Sequence, residues 1–300
     1  MLKNLISILA LIIPILTTIV PFSYGQEYIP SLELRLGYDD NKTLAPTDKE
    51  GGFIIEGYLG LEYKHKATPT SGSIKYQLGW LSNQSIGASE TGGVDFADEP
   101  SLNHLLKAKL KHQFTSDLAG VLRLQGEYNN SDQESLIYSK YLVGGEIEYN
   151  LGPTTFIGLE GNYFLRTYSK LMPKQEDTPV TYNVNLSHLL TNGFFGSLGY
   201  QYRNNSSTNQ NYEYKSQGPI LTLLTPISDQ IELQLFDFYE TRKYEIGTED
   251  KTLILSPRLV FKIEEKQSVA LEYSYQKNDS SDSTKEFTQQ RFMVVFMVSF

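Results

Sequence analysis

Residues 118–128 read LAGVLRLQGEY, and their alternation sets the architecture expected for the whole chain. Apolar or small residues occupy every second position, as at Leu122 and Leu124, while Arg123, Gln125 and Glu127 stand between them. This period of two is typical of a β-strand that presents one apolar and one polar face. The stretch therefore predicts a strand exposed to different surroundings on its two sides.

The same alternation recurs along the chain in about 14 segments of about ten residues, which predicts about 14 strands. Short connections such as Thr115-Ser116-Asp117 and Gly152-Pro153 alternate with long polar ones, such as residues 83–101. Tight turns at one end and long loops at the other are typical of a transmembrane antiparallel up-and-down β-barrel. Pro219 and Pro226 make the tenth segment the weakest, because proline cannot donate a ladder hydrogen bond.

The main alternative from the same alternation is a secreted β-sandwich. Such a protein buries its apolar faces between two sheets and has no reason to alternate long and short connections. Strands in a bilayer must instead close into a barrel, since no water is present to pair a free edge. We therefore expect an all-β membrane barrel.

Composition excludes several classes of function. The formal net charge of −9 argues against a nucleic-acid partner, because such binding rests on a basic surface. The absence of cysteine excludes disulfides, thiolate chemistry and cysteine–metal sites. The mean hydropathy of −0.33 argues against a helical membrane protein. No cofactor and no metal site are expected.

The N-terminal segment has the features of a secretory signal peptide. Lys3 precedes an apolar run over residues 5–20, and small residues suit cleavage before Gln26. An uncleaved anchor helix is disfavoured, because two prolines interrupt a short run. The predicted organisation is a signal peptide at residues 1–25 and an outer-membrane barrel at residues 26–300.

The C-terminal segment alternates up to the last residue, with apolar side chains at Phe292, Val294, Phe296, Val298 and Phe300. It resembles the C-terminal signal of bacterial outer-membrane barrels, which the barrel-assembly machinery reads during insertion. This resemblance implies the outer membrane of a Gram-negative-type bacterium, with lipid and lipopolysaccharide as neighbours.

In size and strand count the chain looks like a small monomeric 14-stranded porin. The C-terminal barrels of polysaccharide-export and lipoprotein-translocating proteins also look alike. Those families place helical repeats or a periplasmic domain before the barrel, whereas here the barrel is expected to start almost at once after Gln26. The resemblance therefore implies a passive channel more than an export gate, and a monomer is favoured.

The sequence also argues against an enzymatic barrel. Outer-membrane phospholipases use a Ser–His pair, and the only adjacent pair here is Ser187 and His188. Successive strand residues point to opposite faces, so these two cannot form a nucleophile–base hydrogen bond. His65, His104 and His112 show no metal-ligand spacing, and we expect no catalysis.

The polar face of the predicted strands carries the candidate pore lining. Three successive strands contribute basic residues, and the next two contribute acidic ones. Because neighbouring strands lie about 4.8 Å apart, a basic wall sector should adjoin an acidic one. The candidate residues are Lys75, Lys107, Lys109, Lys111, Arg123, Glu146, Glu148 and Glu160.

Two alternatives remain open for this face. Opposed charge sectors would orient polar solutes in an open lumen, whereas paired charges would only stabilise a closed barrel. Aromatic rings predicted on the same face favour packing over a stacking surface for sugars. These rings are Phe156, Phe164, Tyr168, Phe195, Phe236 and Phe238.

The leading function is thus an outer-membrane channel for passive diffusion of small hydrophilic solutes. The alternatives are a structural or surface-interaction barrel without an open pore and the outer-membrane exit of an export system.

Overall fold

The computed structural model describes residues 26–41, 44, 51–130 apart from 86–100, 138–168, 175–190 and 193–300. Within these ranges the chain forms 14 β-strands. They are β1 Gln26–Asp39, β2 Gly52–His65, β3 Thr70–Ser85, β4 Ser101–Gln113, β5 Leu118–Asn130, β6 Tyr138–Asn150, β7 Thr155–Tyr168, β8 Gln175–Leu189, β9 Phe195–Ser207, β10 Tyr214–Pro226, β11 Ile231–Tyr244, β12 Glu249–Glu264, β13 Gln267–Ser280 and β14 Phe287–Ser299.

The strands form one closed antiparallel barrel in sequence order. Closure comes from β1 pairing with β14, in a register that sets Ser31 opposite Ser299 and Leu34 opposite Phe296. Every strand consequently has two hydrogen-bonded neighbours, and the sheet has no free edge. The predicted up-and-down barrel is confirmed, and the β-sandwich alternative is wrong.

The predicted tight turns are present at one end of the barrel. The amide of Phe114 donates to the carbonyl of Leu118 at 2.9 Å, and Ile227 donates to Ile231 at 2.8 Å. At the other end, two fully described loops each contain one turn of 3-10 helix, at Gln210–Tyr212 and Ser283–Lys285. The barrel therefore has one end of tight turns and one end that carries these longer loops.

The two faces of the wall follow the predicted parity. On β5, Leu122 is 46% exposed on the outside, whereas its neighbour Val121 is 4% exposed. Cross-strand partners share a face, so the two partners of Leu122 also lie on the outside. These partners are Leu110 on β4 and Gly145 on β6. The outer face is therefore the apolar one, as contact with lipid requires.

The deep burial of small residues inside the barrel has a specific cause. Lys111 on β4 bonds to Glu148 on β6, so its side chain crosses the inner surface of β5 and covers Val121. Arg35 on β1 reaches Glu272 on β13 in the same way, and it covers Val295 on β14. Long charged side chains thus line the wall, with their apolar stems lying over small apolar residues.

The weakness predicted for the tenth segment is present as a local gap. β10 pairs with β11 from Tyr214 to Gln217 and again from Ile220, but not at Gly218 and Pro219. Pro219 lacks an amide hydrogen, and the carbonyl oxygen of Tyr239 closely approaches Gly218. The strand remains continuous because its ladder to β9 is intact across this gap.

The predicted signal peptide lies outside the described residues, so the division at residues 25 and 26 stays a prediction. No helix in the described ranges is long and apolar enough to cross a bilayer.

Candidate functional site

The inner wall brings the predicted basic and acidic sectors together. Arg123 on β5 bonds to Glu146 on β6, and its Nη1 lies 2.7 Å from Oε1 of Glu160 on β7. Lys111 and Glu148 form a further pair two strands apart. Five of the eight predicted lining residues therefore form direct ion pairs.

Amide side chains complete the acidic sector. Asn162 and Asn183 donate to the two carboxylate oxygens of Glu160, each at 3.0 Å. These donors bind the carboxylate oxygens beside Arg123, so both oxygens of Glu160 have hydrogen-bond partners. This part of the wall is an ordered polar network.

The remaining three predicted residues are placed differently. Lys75 on β3 and Lys107 and Lys109 on β4 share the inner face with Arg123, as their cross-strand register shows. Among the described residues, none of the three bonds to a carboxylate, and Lys107 and Lys109 are exposed. The basic sector thus has a compensated part at Lys111 and Arg123 and an uncompensated part beside it.

Sequence reasoning missed a second charge network on the same face. Arg35 on β1 bonds to Glu33 and lies 3.8 Å from both Glu56 and Glu272. Arg258 on β12 binds the other oxygen of Glu272 at 2.9 Å. The signal was available, because Glu33 and Arg35 occupy alternate positions of β1 and predict the same inward parity.

Two arginine–tyrosine clusters at the end with the longer loops were also missed. Arg166 stacks on Tyr138 at 5.6 Å and donates to the hydroxyl of Tyr168 at 3.2 Å. Four strands further round, Arg242 stacks on its counterpart Tyr214 at 4.6 Å.

In the second cluster, Arg242 also donates to the hydroxyl of Tyr244 at 3.1 Å. The repeated triplets Arg166–Tyr168 and Arg242–Tyr244 are visible in the sequence and could have revealed both clusters. In each cluster, cation–π attraction stabilises the packing of a guanidinium against a tyrosine ring next to the loops.

Some of the inward aromatic rings pack against other side chains, and one of them is exposed. Phe156 and Phe195 stack with ring centroids 6.2 Å apart, and Lys140 lies over Phe164. Phe236, in contrast, is 44% exposed on the inner face. The expected packing role fits the first three rings, and Phe236 remains open to the lumen.

The structure separates the one candidate nucleophile from its histidine. The hydroxyl of Ser187 donates to Ser197 at 2.8 Å on the inner face. His188 lies outside, with Nδ1 2.7 Å from the hydroxyl of Thr155. In the described part of the chain, no three acidic or histidine side chains are grouped as metal ligands.

Cavities occur on both sides of the wall. One, of about 940 Å³, is a groove on the outer face where Gly145 and Gly161 leave space beside Leu159 and Tyr182. A smaller one, of about 250 Å³, lies inside against the second charge network. The outer groove faces lipid, so its size is not a sign of a solute site.

No protein family and no curated protein matches this sequence. Solved structures do match its fold. OmpT of Vibrio cholerae, expressed in the outer membrane, is 8% identical with a TM-score of 0.55 over 94% of this chain and 100% of that one. An anion-selective porin from Comamonas acidovorans is 9% identical with a TM-score of 0.51 over 92% and 99%.

A third match is a mutant of TodX, a monoaromatic hydrocarbon channel, at 9% identity and a TM-score of 0.51 over 93% of this chain and 91% of that one. Identities this low establish the fold alone. The chain thus has the closed β-barrel fold of bacterial outer-membrane proteins, with a porin-like architecture and an apolar outer face suited to lipid.

Proposed function

We propose that this barrel is a non-catalytic channel for passive diffusion of small hydrophilic solutes across the outer membrane. The observation that carries the proposal is the inner face, where Lys107, Lys109 and Phe236 keep exposed side chains. Barrels of 8 strands are filled by their own side chains, and those of 16–18 strands leave an aqueous channel. A barrel of 14 strands lies nearer the second group.

The charge networks favour a second candidate, a structural barrel closed to solutes. Arg123 and Arg35 each engage carboxylates on strands that lie up to two positions away along the wall. Such pairs stabilise the barrel, and their side chains also narrow its lumen. The two candidates differ in one measurable property, which is the passage of ions.

A planar-bilayer recording of the mature protein, refolded and checked for barrel content by circular dichroism, tests the proposal. We expect stepwise conductance that is absent from a matched preparation of the unfolded chain. Liposomes carrying the barrel should also swell in small neutral sugars. Folded protein that inserts but gives neither conductance nor swelling would overturn the channel and support the closed barrel.

A further inference from the structure

The inner wall carries a patch of basic residues that bond to no carboxylate in the described ranges. The role proposed for this patch rests on the proposed channel function. We propose that Lys75, Lys107 and Lys109, here called the lysine patch, form a binding site for anionic solutes that carry a carboxylate or phosphate group.

The first support is the strand register. Lys75 on β3 is the direct cross-strand partner of Lys107 on β4, and Lys109 is the direct partner of Arg123 on β5. Directly opposed residues have Cβ atoms about 4.5–5.5 Å apart, and like charges at such positions are destabilising. Arg123 has carboxylates of its own, but Lys75, Lys107 and Lys109 remain as neighbouring like charges on one face, which favours a compensating negative group.

The neighbouring carboxylates supply little of this compensation. Glu148 binds Lys111, while Glu146 and Glu160 bind Arg123. Glu62 lies directly across from Lys75 on β2, but its carboxylate is engaged by Lys64 at 3.4 Å. Lys64 and the lysine patch together carry four positive charges, Glu62 carries one negative charge, and Glu146 and Glu160 carry one negative charge more than Arg123, so this part of the wall keeps a positive excess.

Two further basic residues face the lumen on other strands. Lys140 on β6 faces the lumen, but its ammonium is paired with Glu127 at 3.7 Å. Arg203 on β9 also faces the lumen, and its bonds are to Thr181 and Gln201 rather than to a carboxylate. A protein whose net charge is −9 thus keeps positive charge without a bonded carboxylate on its inner face, mainly at the lysine patch.

An anionic solute fits this patch chemically. Ammonium groups are point charges with three donors each, and they bind carboxylate or phosphate oxygens through charge-assisted hydrogen bonds. The exposure of Lys107 and Lys109 leaves these donors free to meet a ligand from the lumen. Binding there would stay weak enough for release, because exposed ion pairs contribute little net stabilisation.

The reversal potential in a potassium chloride gradient is the first test. We expect the wild-type channel to favour chloride, and the double variant Lys107→Gln/Lys109→Gln to shift toward potassium. The matched control is Lys111→Gln/Glu148→Gln, which removes an ion pair with no change in net charge and should keep wild-type selectivity. Unchanged selectivity in the first variant, or an equal shift in both, would overturn the proposal.

The second test uses inorganic phosphate as the probe. Phosphate should lower the chloride current of the wild type, and Lys107→Gln/Lys109→Gln should weaken this inhibition. If the folded barrel does not conduct, the channel proposal fails, but calorimetric titration of the detergent-solubilised barrel with phosphate still tests the site. Heat of binding in the wild type and its loss in the variant are expected, and equal heats in the two proteins would refute the site.

Discussion

At the residue scale, the side of the wall on which a side chain lies determines the cost of changing it. Leu122 and Leu105 are both leucines on neighbouring strands, but Leu122 faces outward and Leu105 faces inward, opposite Glu127. The same substitution at the two positions therefore meets hydrocarbon in one case and a carboxylate in the other.

We expect Leu122→Arg to lower the free energy of unfolding by about 2–4 kcal/mol, the cost of an arginine on the lipid face near the bilayer midplane. Leu105→Arg is the matched control and should cost far less, because its guanidinium can reach Glu127 inside the barrel. Urea titrations of both variants in lipid vesicles measure the difference. An equal loss in the two variants would show that the assigned faces are wrong for β4 or β5.

Asp237 is unusual because it is an acidic residue on the apolar outer face. It lies midway along β11 on the outer face, where Leu221 and Leu255 are its direct cross-strand partners. One of its carboxylate oxygens is buried and has no hydrogen-bond partner among the described residues. A carboxylate in this position is costly, because hydrocarbon neither hydrates nor pairs it.

Replacing Asp237 by leucine should raise the free energy of unfolding in lipid by about 1–2 kcal/mol, since acidic residues on the lipid face cost less than arginine or lysine. Asp250→Leu should have the opposite effect, because Asp250 is buried and accepts a 2.6 Å hydrogen bond from Ser280. The same vesicle titrations measure both. A loss of stability in Asp237→Leu would mean that this carboxylate has a partner in the membrane.

At the element scale, two loops are held by the same kind of hydrogen bond. The loop between β9 and β10 is held by Asn205, whose side chain donates to the carbonyl of Tyr212 at 2.6 Å. The loop between β13 and β14 is held by Asn278, which donates to the carbonyl of Lys285 at 2.7 Å. Both asparagines are buried at the ends of their strands, so each loop is fixed from within the barrel.

The two loops differ in the side chain that caps the 3-10 turn. Asn209 accepts from the amide of Asn211, and Asp282 accepts from the amide of Thr284, each at 3.1 Å. The hydroxyl of Thr284 also donates to Asp282 at 2.7 Å. These hydrogen bonds from Thr284 hold the pKa of Asp282 below its ordinary value.

This difference predicts a pH response in only one loop. A lowered pKa means that the cap of Asp282 is at full strength above the carboxyl's ordinary range and is lost as the pH falls through the pKa in the folded protein. The amide resonance of Thr284 should shift over that acidic range, while that of Asn211 should not. Nuclear magnetic resonance in detergent measures both, and parallel shifts would contradict the assignment.

At the scale of the whole molecule, closure depends on the last residues of the chain. The amide of Phe300 donates to the carbonyl of Pro30 at 2.9 Å, directly beyond the β1–β14 ladder. Phe292 and Phe296 lie on the outer face of β14, as the sequence predicts. The terminal segment therefore completes the cylinder, and its outer face is apolar.

We expect Phe300→Asp, and deletion of Phe300, to reduce outer-membrane yield and leave aggregates in the periplasm. Phe114→Asp is the control, because Phe114 is an exposed aromatic residue next to a turn, away from the closing seam. Folded yield is read from the faster gel migration of unboiled barrel. Equal yields of Phe300→Asp and Phe114→Asp would show that Phe300 has no special role in assembly.

The sequence alone determined the strands, their antiparallel order and the face of each side chain. A period of two is a local property, so residues 118–128 suffice to assign inside and outside on β5. The same rule placed all eight candidate lining residues on the inner face and separated Ser187 from His188.

Only the tertiary structure decided which charges are paired. Lys111 and Lys109 look alike in the sequence, yet Lys111 reaches Glu148 across β5 and Lys109 has no carboxylate within reach in the described ranges. Such contacts join strands two positions apart, and they depend on the register of both ladders and on the curvature of the closed wall. Neither quantity is present in the alternation of a single strand, which is why the uncompensated lysine patch became visible only in the folded barrel.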